Sequence, residues 1–265
     1  MEQTVLVTGA SSGLGKATAE LLSENGYRVL GTSRNPSATK CSQFDLLELN
    51  VDFDDSVSRC VDQVIQRTGR IDVLVNNAGC GLLGAIEEVS IDQAKYFFDT
   101  NFFGMARLVR LVLPQMRKQG EGRIIIMSSG AVAVPSPFNA YYAAAKSALE
   151  AYGEALRFEV ASFNIKVSLV EPSYFKTSFG KRIRFPSEKL HAYEKNQDRV
   201  SQVMLERALN GGEPRVVAEA ILKLIESPSP ELHNFVAMRE DLPRVVAAKQ
   251  QDKAEQIMRK YWNLD

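Results

Sequence analysis

The stretch NAYYAAAKSALEAYG, residues 139–153, places two tyrosines side by side and a lysine four residues after only one of them. Residues four apart lie on one face of a helix, so Tyr142 and Lys146 would be neighbours there. Tyr141 would be turned away by about 100°, and its own partner at that spacing is Ala145. An ammonium beside a phenol favours the phenolate and lowers a pKa that is ordinarily about 10. Tyr142 is therefore a candidate acid–base residue; the alternative is that both tyrosines only pack at the start of an amphipathic helix.

A second stretch with chemical meaning is VTGASSGLG, which carries Gly9, Gly13 and Gly15. It lies between a short apolar run, typical of a buried strand, and a segment with helical spacing. In that context Gly9 permits a tight turn, Gly13 lets the backbone approach a pyrophosphate, and Gly15 lets the helix pack close to the sheet. The helix N-terminus would face the phosphates. The stretch predicts a dinucleotide site, against the alternative of a merely tight turn between strand and helix.

The end of the second predicted strand bears on which dinucleotide would bind. An acidic side chain there would bond the ribose 2′-hydroxyl of NAD and repel a 2′-phosphate. The sequence reads LGTSRNP, with Ser33 in the place of the acid and Arg34 after it. A guanidinium can hold a phosphate with two hydrogen bonds and can stack on adenine. We therefore expect NADP rather than NAD, although an arginine here could also be a solvated loop residue or cover the adenine of NAD.

The elements that must position these residues alternate regularly along the chain. Strand-like apolar runs and helical segments alternate about seven times, and the runs are continuously apolar, which is typical of a parallel sheet covered on both faces. Right-handed crossovers then give a doubly wound, Rossmann-like α/β fold of about seven strands. A single long helix is expected over 92–118. With no repeat, low-complexity tract or Pro/Gly linker, we interpret residues 1–265 as one domain.

Two segments interrupt this rhythm. Residues 174–213 are long, charged and helical in places, and they leave the carboxyl end of a strand, where open α/β sheets bind their ligands. We predict that they form a substrate lid, the alternative being a surface excursion with no function. Residues 240–265 form a C-terminal extension with the pattern of an amphipathic helix.

The composition argues against several kinds of protein. Lysine plus arginine, 32, balance aspartate plus glutamate, 32, which argues against a nucleic-acid partner. Three cysteines without CxxC spacing and two histidines without a second ligand at helical spacing predict neither a disulfide framework nor a metal site. No apolar run reaches the length of a membrane span, and the N-terminus lacks a secretory pattern. We expect a cytoplasmic protein.

Five motifs in order give the sequence a family resemblance. They are TGASSGLG (8–15), NNAG (76–79), NFFG (101–104), MSSG (127–130) and YAAAK (142–146). Together they resemble the classical short-chain dehydrogenases/reductases over nearly the whole chain, with Ser129 preceding Tyr142 at the family's interval. The resemblance identifies Tyr142, rather than Tyr141, as the reagent.

The resemblance implies an enzyme that transfers a hydride between a nicotinamide and a carbonyl or secondary alcohol. Tyr142 would exchange the proton, Lys146 would lower its pKa and bind the nicotinamide ribose, and Ser129 would hold the substrate oxygen. Asn101 would support a water-linked proton path towards Lys146. The implied cofactor contacts are Gly9, Ser11, Ser12, Gly13, Leu14, Gly15, Ser33, Arg34, Asn50, Val51, Asn77, Ala78, Gly79, Tyr142, Lys146, Pro172 and Thr177.

Two positions depart from the family pattern. Ser173 stands where the family commonly has the glycine of a Pro-Gly pair, in backbone expected to pass close to the nicotinamide. Thr177 keeps a hydroxyl for the carboxamide. Asn50 stands where an aspartate often meets the adenine amino group, and its amide oxygen could accept the same bond. Neither departure touches the four catalytic positions.

The candidate walls of the substrate pocket are apolar and aromatic. They are Cys80, Leu82 and Leu83, the stretch Val132 to Phe138, and Tyr174, Phe175 and Phe179 at the start of the lid. Such walls suit a small apolar carbonyl or alcohol, for example a hydrophobic ketone, steroid or retinoid, although large apolar residues are also commonly core. We expect Cys80 to be a buried, inert thiol.

Other functions stay open at this point. The same scaffold could serve a β-ketoacyl-thioester reductase or an NAD-dependent alcohol dehydrogenase. A non-catalytic NADP-binding sensor or scaffold would keep the glycines but would have no need for Asn101, Ser129, Tyr142 and Lys146 together. By the same resemblance, we expect a homodimer or homotetramer formed through the helices that hold Asn101 and Tyr142.

Overall fold

The computed structural model describes residues 2–38 and 43–237. Its strands are β1 (Thr4–Val7), β2 (Arg28–Ser33), β3 (Asp45–Glu48), β4 (Val73–Asn76), β5 (Gly81–Leu82), β6 (Gly122–Met127), β7 (Ile165–Pro172), β8 (Ile183–Arg184) and β9 (His233–Val236). Its α-helices are α1 (Gly13–Glu24), α2 (Asp54–Thr68), α3 (Ile91–Phe98), α4 (Gly104–Gln119), α5 (Ala140–Val160), α6 (His191–Leu209) and α7 (Pro214–Glu226).

Seven of these strands form one sheet in the order β3-β2-β1-β4-β6-β7-β9, and every pair is parallel. The order reverses between β1 and β4, so the carboxyl ends of these two strands open a crevice of the kind in which doubly wound sheets bind ligands. The predicted Rossmann-like, single-domain fold of about seven strands is confirmed.

Helices cover both faces of the sheet, as the continuously apolar strands require. On one face α1 packs against α7; on the other, α2 packs against α4, and α5 packs on β7. All four residues of β1 are buried, as are all four of β4. The sheet between the two helical layers is therefore the core, and it fixes the strand ends that carry functional side chains.

The helix that was predicted over 92–118 is interrupted. The structure has α3, then a π-helical turn over Asp99–Phe103, then α4. In this turn the Gly104 amide donates to the Asp99 carbonyl five residues back, so one extra residue is accommodated. Turns of this kind are rare and occur frequently at functional sites. The hydrophobic spacing of the sequence gives no sign of a single inserted residue, which is why the prediction was one regular helix.

Residues 174–213 leave the sheet after β7 and return to it just before α7. Their two ends are joined, because the Lys176 amide donates to the Gly212 carbonyl at 2.9 Å and the Gly212 amide donates to the Tyr174 carbonyl at 3.1 Å. Between these ends lie β8 and the long helix α6. The strand β8 pairs in parallel with β5, which follows β4, and this second small sheet was not predicted. The predicted extension over 240–265 lies outside the described residues.

Candidate active site

The predicted catalytic residues come from three neighbouring elements at the carboxyl edge of the sheet. Ser129 follows β6, Tyr142 and Lys146 lie in the first turns of α5, and Asn101 lies in the π-helical turn, which packs against α5. Parallel strands end at one edge of a sheet, so residues far apart in the sequence meet there. Ser129, Tyr142 and Lys146 line one cavity, whereas Asn101 is buried outside its lining.

Tyr142, Ser129 and Lys146 form a connected cluster. Tyr142 and Ser129 share a hydrogen bond. The Lys146 ammonium donates to the Met127 carbonyl, the last residue of β6, at 2.7 Å and lies 5.8 Å from the centre of the Tyr142 ring. Only 5% of the Lys146 residue is exposed. The lysine is therefore held below the tyrosine by the strand that also presents the serine.

Burial governs the ionisation of this cluster. It lowers the pKa of Lys146 from 10.5 to about 8, with the Glu150 carboxylate and the Cys80 thiol acting in the opposite direction. Part of the Tyr142 ring faces the cavity, yet the surrounding protein raises its pKa above 10.0, against the hydrogen bond with Ser129, which lowers it. At neutral pH the tyrosine is thus a neutral phenol with a proton to donate.

The two adjacent tyrosines have different surroundings. Tyr142 lines the cavity, with its ring 6.4 Å from the ring of Phe97 and 6.2 Å from that of Phe179. Both tyrosines pack against a buried cluster that includes Cys80, but Tyr141 does not line the cavity. The role of Tyr142 as the reagent remains a proposal.

Asn101 is buried, and its side chain is held by protein partners. Its amide group donates to the Phe97 carbonyl at 3.0 Å and to the Cys80 sulfur at 3.4 Å, and its oxygen accepts from the Cys80 amide at 3.1 Å. A Cβ at Gly79 would lie 2.7 Å from that oxygen, so the glycine of the NNAG motif makes room for the asparagine. These contacts fix the π-helical turn, and the predicted water-linked path through Asn101 remains a proposal.

The glycine-rich turn has the form that a dinucleotide needs. Gly9 has a φ of 68° and Gly13 a φ of 60°, a left-handed conformation that other residues rarely adopt. A Cβ at Gly15 would lie 2.5 Å from the Gly9 carbonyl oxygen, so the close contact between helix and strand end requires a glycine there. The N-cap of α1, Ser12, makes no side-chain capping bond, which leaves the first amides of the helix available to an anion.

Thr8 was not among the predicted site residues, but it holds this turn in place. Its hydroxyl accepts from the amides of Asn77 and Ala78, at 2.8 Å each, and the Asn77 side chain donates back to the Thr8 carbonyl at 2.7 Å. The first and fourth strands are thereby joined at their carboxyl ends, across the crevice. The signal in the sequence was the threonine that opens TGASSGLG.

The residues predicted for the adenosine half lie at the ends of β2 and β3. The Ser33 hydroxyl accepts from the Asn35 amide at 3.2 Å. Arg34 is exposed and, within the residues that the structure describes, makes no ion pair. The Asn50 side-chain oxygen accepts from the Asp52 amide at 3.2 Å, so an adenine amino group would have to share it. Val51 is buried, and its carbonyl accepts from the Arg107 guanidinium at 3.2 Å.

Ser173, the departure from the Pro-Gly pattern, causes no backbone strain, since it is not among the residues with positive φ. Its amide donates to the Val236 carbonyl at 2.9 Å and thereby continues the pairing of β7 with β9. Thr177, four residues on, accepts from the Phe179 amide at 3.2 Å and packs against the glycine turn. The start of the lid thus lies directly over the predicted phosphate site.

One cavity, with a volume of about 510 Å³, is lined both by the glycine-rich turn and by the cluster of Ser129, Tyr142 and Lys146. Ten of the predicted site residues line it: Ser12, Gly13, Leu14, Asn77, Gly79, Ser129, Tyr142, Lys146, Pro172 and Thr177. The predicted residues outside its lining are Gly9, Ser11, Gly15, Ser33, Arg34, Asn50, Val51, Ala78 and Asn101. Of these, Gly9, Gly15 and Ala78 form or hold the glycine-rich turn. Ser33, Arg34, Asn50 and Val51 are the residues predicted for the adenosine half.

The far wall of the cavity is largely apolar. Of the residues predicted for the substrate pocket, Leu82, Leu83, Val134, Ser136, Tyr174, Phe175 and Phe179 line it, whereas Val132, Ala133, Pro135, Pro137 and Phe138 do not. Met204, Leu205 and Ala208 of α6, which were not predicted, also line it. Cys80 lies instead in a buried cluster, 9% exposed, as expected for an inert thiol. The helix α6 therefore supplies part of the cavity wall.

Phe138 supports this wall with an unusual backbone. Its φ is 61°, a conformation that costs a bulky residue about 1–2 kcal/mol. Its carbonyl accepts from the Gly84 amide at 2.8 Å, and its ring meets the ring of Tyr193 in α6 edge to face at 6.1 Å. These two contacts hold the strained residue between the loop after β5 and the helix α6.

Two further residues that were not predicted, Ser128 and Glu150, form a hydrogen bond next to Ser129. The Ser128 hydroxyl donates to Glu150 at 2.5 Å, and Glu150 lies one turn after Lys146 on α5. Burial raises the pKa of Glu150, and the bond from Ser128 lowers it. This contact connects the strand end that carries Ser129 to the helix that carries Tyr142. Only the three-dimensional register of strand and helix reveals it.

A doubly wound sheet with a glycine turn at its crevice and a Ser–Tyr–Lys cluster beside it defines a class of nicotinamide-dependent oxidoreductases. A family profile described as short chain dehydrogenase matches residues 3–187. The chain is 38% identical to a 3-ketodihydrosphingosine reductase of Bacteroides thetaiotaomicron, over 98% of this chain and 96% of that protein. It is 35% identical to human retinol dehydrogenase 8, over 89% of this chain and 82% of that protein.

A solved structure gives the same result. The crystal structure of a short-chain dehydrogenase from Streptomyces avermitilis is similar with a TM-score of 0.87 and 33% identity, covering 98% of this chain and 97% of that one. The chain belongs to the short-chain dehydrogenase family and is an oxidoreductase of that family. Among the described residues, no helix is long and apolar enough to cross a membrane.

Proposed function

We propose that the chain is an NADP-dependent reductase of a ketone on an apolar substrate. The observation that carries this proposal is the cavity of about 510 Å³ in which the Tyr142 cluster lies between the glycine turn and an apolar wall. A pocket with such a wall and a few convergent polar groups suits an apolar ligand that is oriented at one end. The relatives named for 3-ketodihydrosphingosine and for retinol, both predominantly apolar molecules, support this choice.

Each catalytic residue has a role that follows from its surroundings. The bound nicotinamide would supply the hydride. Tyr142, a neutral phenol, would donate its proton to the carbonyl oxygen as the carbon becomes tetrahedral. The Ser129 hydroxyl, bonded to Tyr142 in this structure, would turn to the same oxygen and stabilise its developing negative charge. The Lys146 ammonium would stabilise the tyrosinate left behind.

The chain's residues also support NADP as the cofactor. No acidic residue ends β2, and Arg34, which follows it, has no carboxylate partner among residues 2–38 and 43–237. A free guanidinium beside the expected ribose suits a 2′-phosphate. Titration with NADPH and NADH in parallel tests this: we expect NADPH to bind more tightly, and Arg34→Ala to lower NADPH affinity alone. Equal or tighter binding of NADH would contradict it.

The substrate proposal is tested by a matched panel of ketones, with absorbance of the reduced cofactor as the readout. The panel contains 3-ketodihydrosphingosine, retinal, a steroid ketone and a short acetoacetyl thioester. We expect the long or bulky apolar carbonyls to give the higher kcat/KM. A preference for the acetoacetyl thioester would instead favour a β-ketoacyl-thioester reductase. Tight NADPH binding with no turnover on any carbonyl would favour the non-catalytic sensor.

A homo-oligomer formed through α4 and α5 is also proposed. Large apolar side chains are exposed near these helices: Phe103 is 51% exposed, Leu111 38% and Phe158 82%. Pairing of these faces would remove that apolar surface from water. Light scattering on the purified protein should give a dimer or tetramer, and Phe158→Glu should shift it to monomer. A monomeric wild-type protein would overturn the proposal.

A further inference from the structure

The lid reaches across the site and contacts the glycine turn. A short 3₁₀ helix, Ser178–Arg182, follows Thr177 and leads into β8. A Cβ at Gly13 would lie 3.5 Å from the Thr177 Cβ, which is ordinary van der Waals contact. The pairing of β8 with β5 then secures the far end of this segment. The residues between Thr177 and β8 are thus placed above the amino end of α1.

Arg182, the last residue of the short helix, makes the most direct contact. Its guanidinium donates to the Ser12 hydroxyl at 2.5 Å, across 170 positions of sequence. Ser12 is the N-cap of α1, so the arginine lies at the positive end of a helix dipole. Burial lowers the pKa of Arg182, and the charge of Arg34 lowers it further.

This arrangement concentrates positive charge without a negative partner. Arg182 makes no ion pair with any carboxylate in the part of the chain that the structure describes, and the same holds for Arg34. A guanidinium beside a helix N-terminus meets the positive end of the helix dipole, and an anion between them would offset that repulsion. The adjacent fold features, the glycine turn and the end of β2, are where the phosphates of a dinucleotide are expected.

We propose that Arg182 is a cofactor-binding residue carried by the lid, which contacts a phosphate of the nicotinamide cofactor at the amino end of α1. The inference rests on the proposed function, since it needs a phosphate-bearing cofactor. Its consequence is that the cofactor and the lid are linked: the bound phosphate holds the segment that also forms the substrate wall. Cofactor binding would therefore complete the substrate pocket.

The phosphate has two possible sources, which the cofactors distinguish. The position of Arg34 after β2 favours the 2′-phosphate, which NADPH has and NADH lacks. The bond to Ser12 at the start of α1 favours the diphosphate, which both cofactors have. Titration calorimetry of Arg182→Ala with each cofactor separates the two. A loss confined to NADPH assigns the 2′-phosphate, and an equal loss with both assigns the diphosphate.

The expected loss is large enough to measure. A hydrogen bond to a charged group contributes about 1.5–3 kcal/mol, so NADPH affinity should fall by about 10- to 100-fold. Arg182→Lys, which keeps the charge but loses the planar fork, should give an intermediate value. The matched control is Lys181→Ala, which removes the neighbouring exposed cation of the same short helix and should leave affinity within about twofold.

A second readout follows the lid itself. Hydrogen exchange in the segment 178–190 should slow when NADPH is added to the wild-type protein or to Lys181→Ala, and should respond much less in Arg182→Ala. Unchanged or tighter binding of both cofactors by Arg182→Ala would overturn the inference and leave the arginine a structural contact of Ser12. If the wild-type protein bound neither cofactor, the proposed function itself would fail. The two failures are thus distinguishable.

Discussion

Replacing Lys146 with methionine removes a buried ammonium while it keeps most of the aliphatic side chain. In the folded protein burial lowers the pKa of this lysine from 10.5 to about 8. Below pH 8 the group is charged in both the folded and the unfolded chain, so the native state carries the full cost of the buried charge. Between pH 8 and 10.5 the folded protein loses the proton first, and its free energy of unfolding rises with pH.

The size of this effect follows from the lowered pKa. Each pKa unit corresponds to about 1.4 kcal/mol, so the cost at pH 7 is on the order of 3 kcal/mol. The bond from Lys146 to the Met127 carbonyl, at 2.7 Å, opposes it, but losing that bond costs only about 1 kcal/mol. Over pH 7 to 10 the cofactor-free wild-type protein should therefore gain on the order of 2–3 kcal/mol relative to Lys146→Met.

The assay is urea unfolding of both proteins, without cofactor, at half-unit steps from pH 7 to 10. Other titrating groups are common to both and cancel in the difference. A difference that grows steadily in favour of the wild-type protein above pH 8 is expected. A flat difference over the whole range would refute the reasoning, because Lys146 would then keep its ordinary pKa in the folded state.

Three further changes test other parts of the site. Gly15→Ala places a Cβ 2.5 Å from the Gly9 carbonyl oxygen, so urea unfolding should show a loss of about 1–3 kcal/mol and calorimetry a weaker cofactor. Glu88→Gln removes a buried carboxylate that accepts from the Leu190 amide and the Gln197 side chain of the lid. Limited proteolysis should then cut within 178–210 several-fold faster, and an unchanged rate would contradict the role of Glu88 in holding the lid. Met204→Glu puts a charge on the apolar wall, so KM for an apolar ketone should rise by at least about tenfold while NADPH affinity stays unchanged. The control is Gln202→Glu at an exposed position of the same helix, which should leave both KM and NADPH affinity unchanged.

The regular part of the fold could be predicted from the sequence because each strand is a continuous apolar run between helical segments. Continuously apolar strands must be buried on both faces, and a parallel, doubly wound sheet covered by helices does this. Glycines mark two of the observed boundaries, since α2 ends at Gly69 and α4 at Gly120, both with left-handed φ. The apolar runs and the turn glycines are local patterns, so they can be recognised in a single sequence without knowledge of distant contacts.

What could not be predicted was either a one-residue insertion or a contact between distant residues. The π-helical turn around Asn101 shifts the register by one residue, which hydrophobic spacing does not resolve. The pairing of β5 with β8 involves two residues on each strand, too few for a recognisable pattern. The contact of Arg182 with Ser12 spans 170 positions and joins a lid to a turn. No local pattern predicts such a pair, because only the folded lid brings them together.

Helix spacing places Tyr142 and Lys146 on one face, and the family resemblance supplies Ser129 and Asn101 as their candidate catalytic partners. Their supports could not be predicted in the same way. Nothing in the sequence distinguishes Glu150 from other helical glutamates, because its partner Ser128 is brought beside it only by the fold. The same holds for Thr8, whose hydroxyl accepts from the amides of Asn77 and Ala78.

The most direct test of the account is a comparison of Tyr142→Phe with Tyr141→Phe on the best ketone of the panel. Loss of the general acid should lower kcat/KM by about 10²- to 10⁴-fold in Tyr142→Phe, with NADPH still bound. Tyr141→Phe, which alters only a packing residue, should stay within about threefold of the wild-type rate. Equal losses in both variants, or full activity in Tyr142→Phe, would contradict the assignment of Tyr142 as the proton donor.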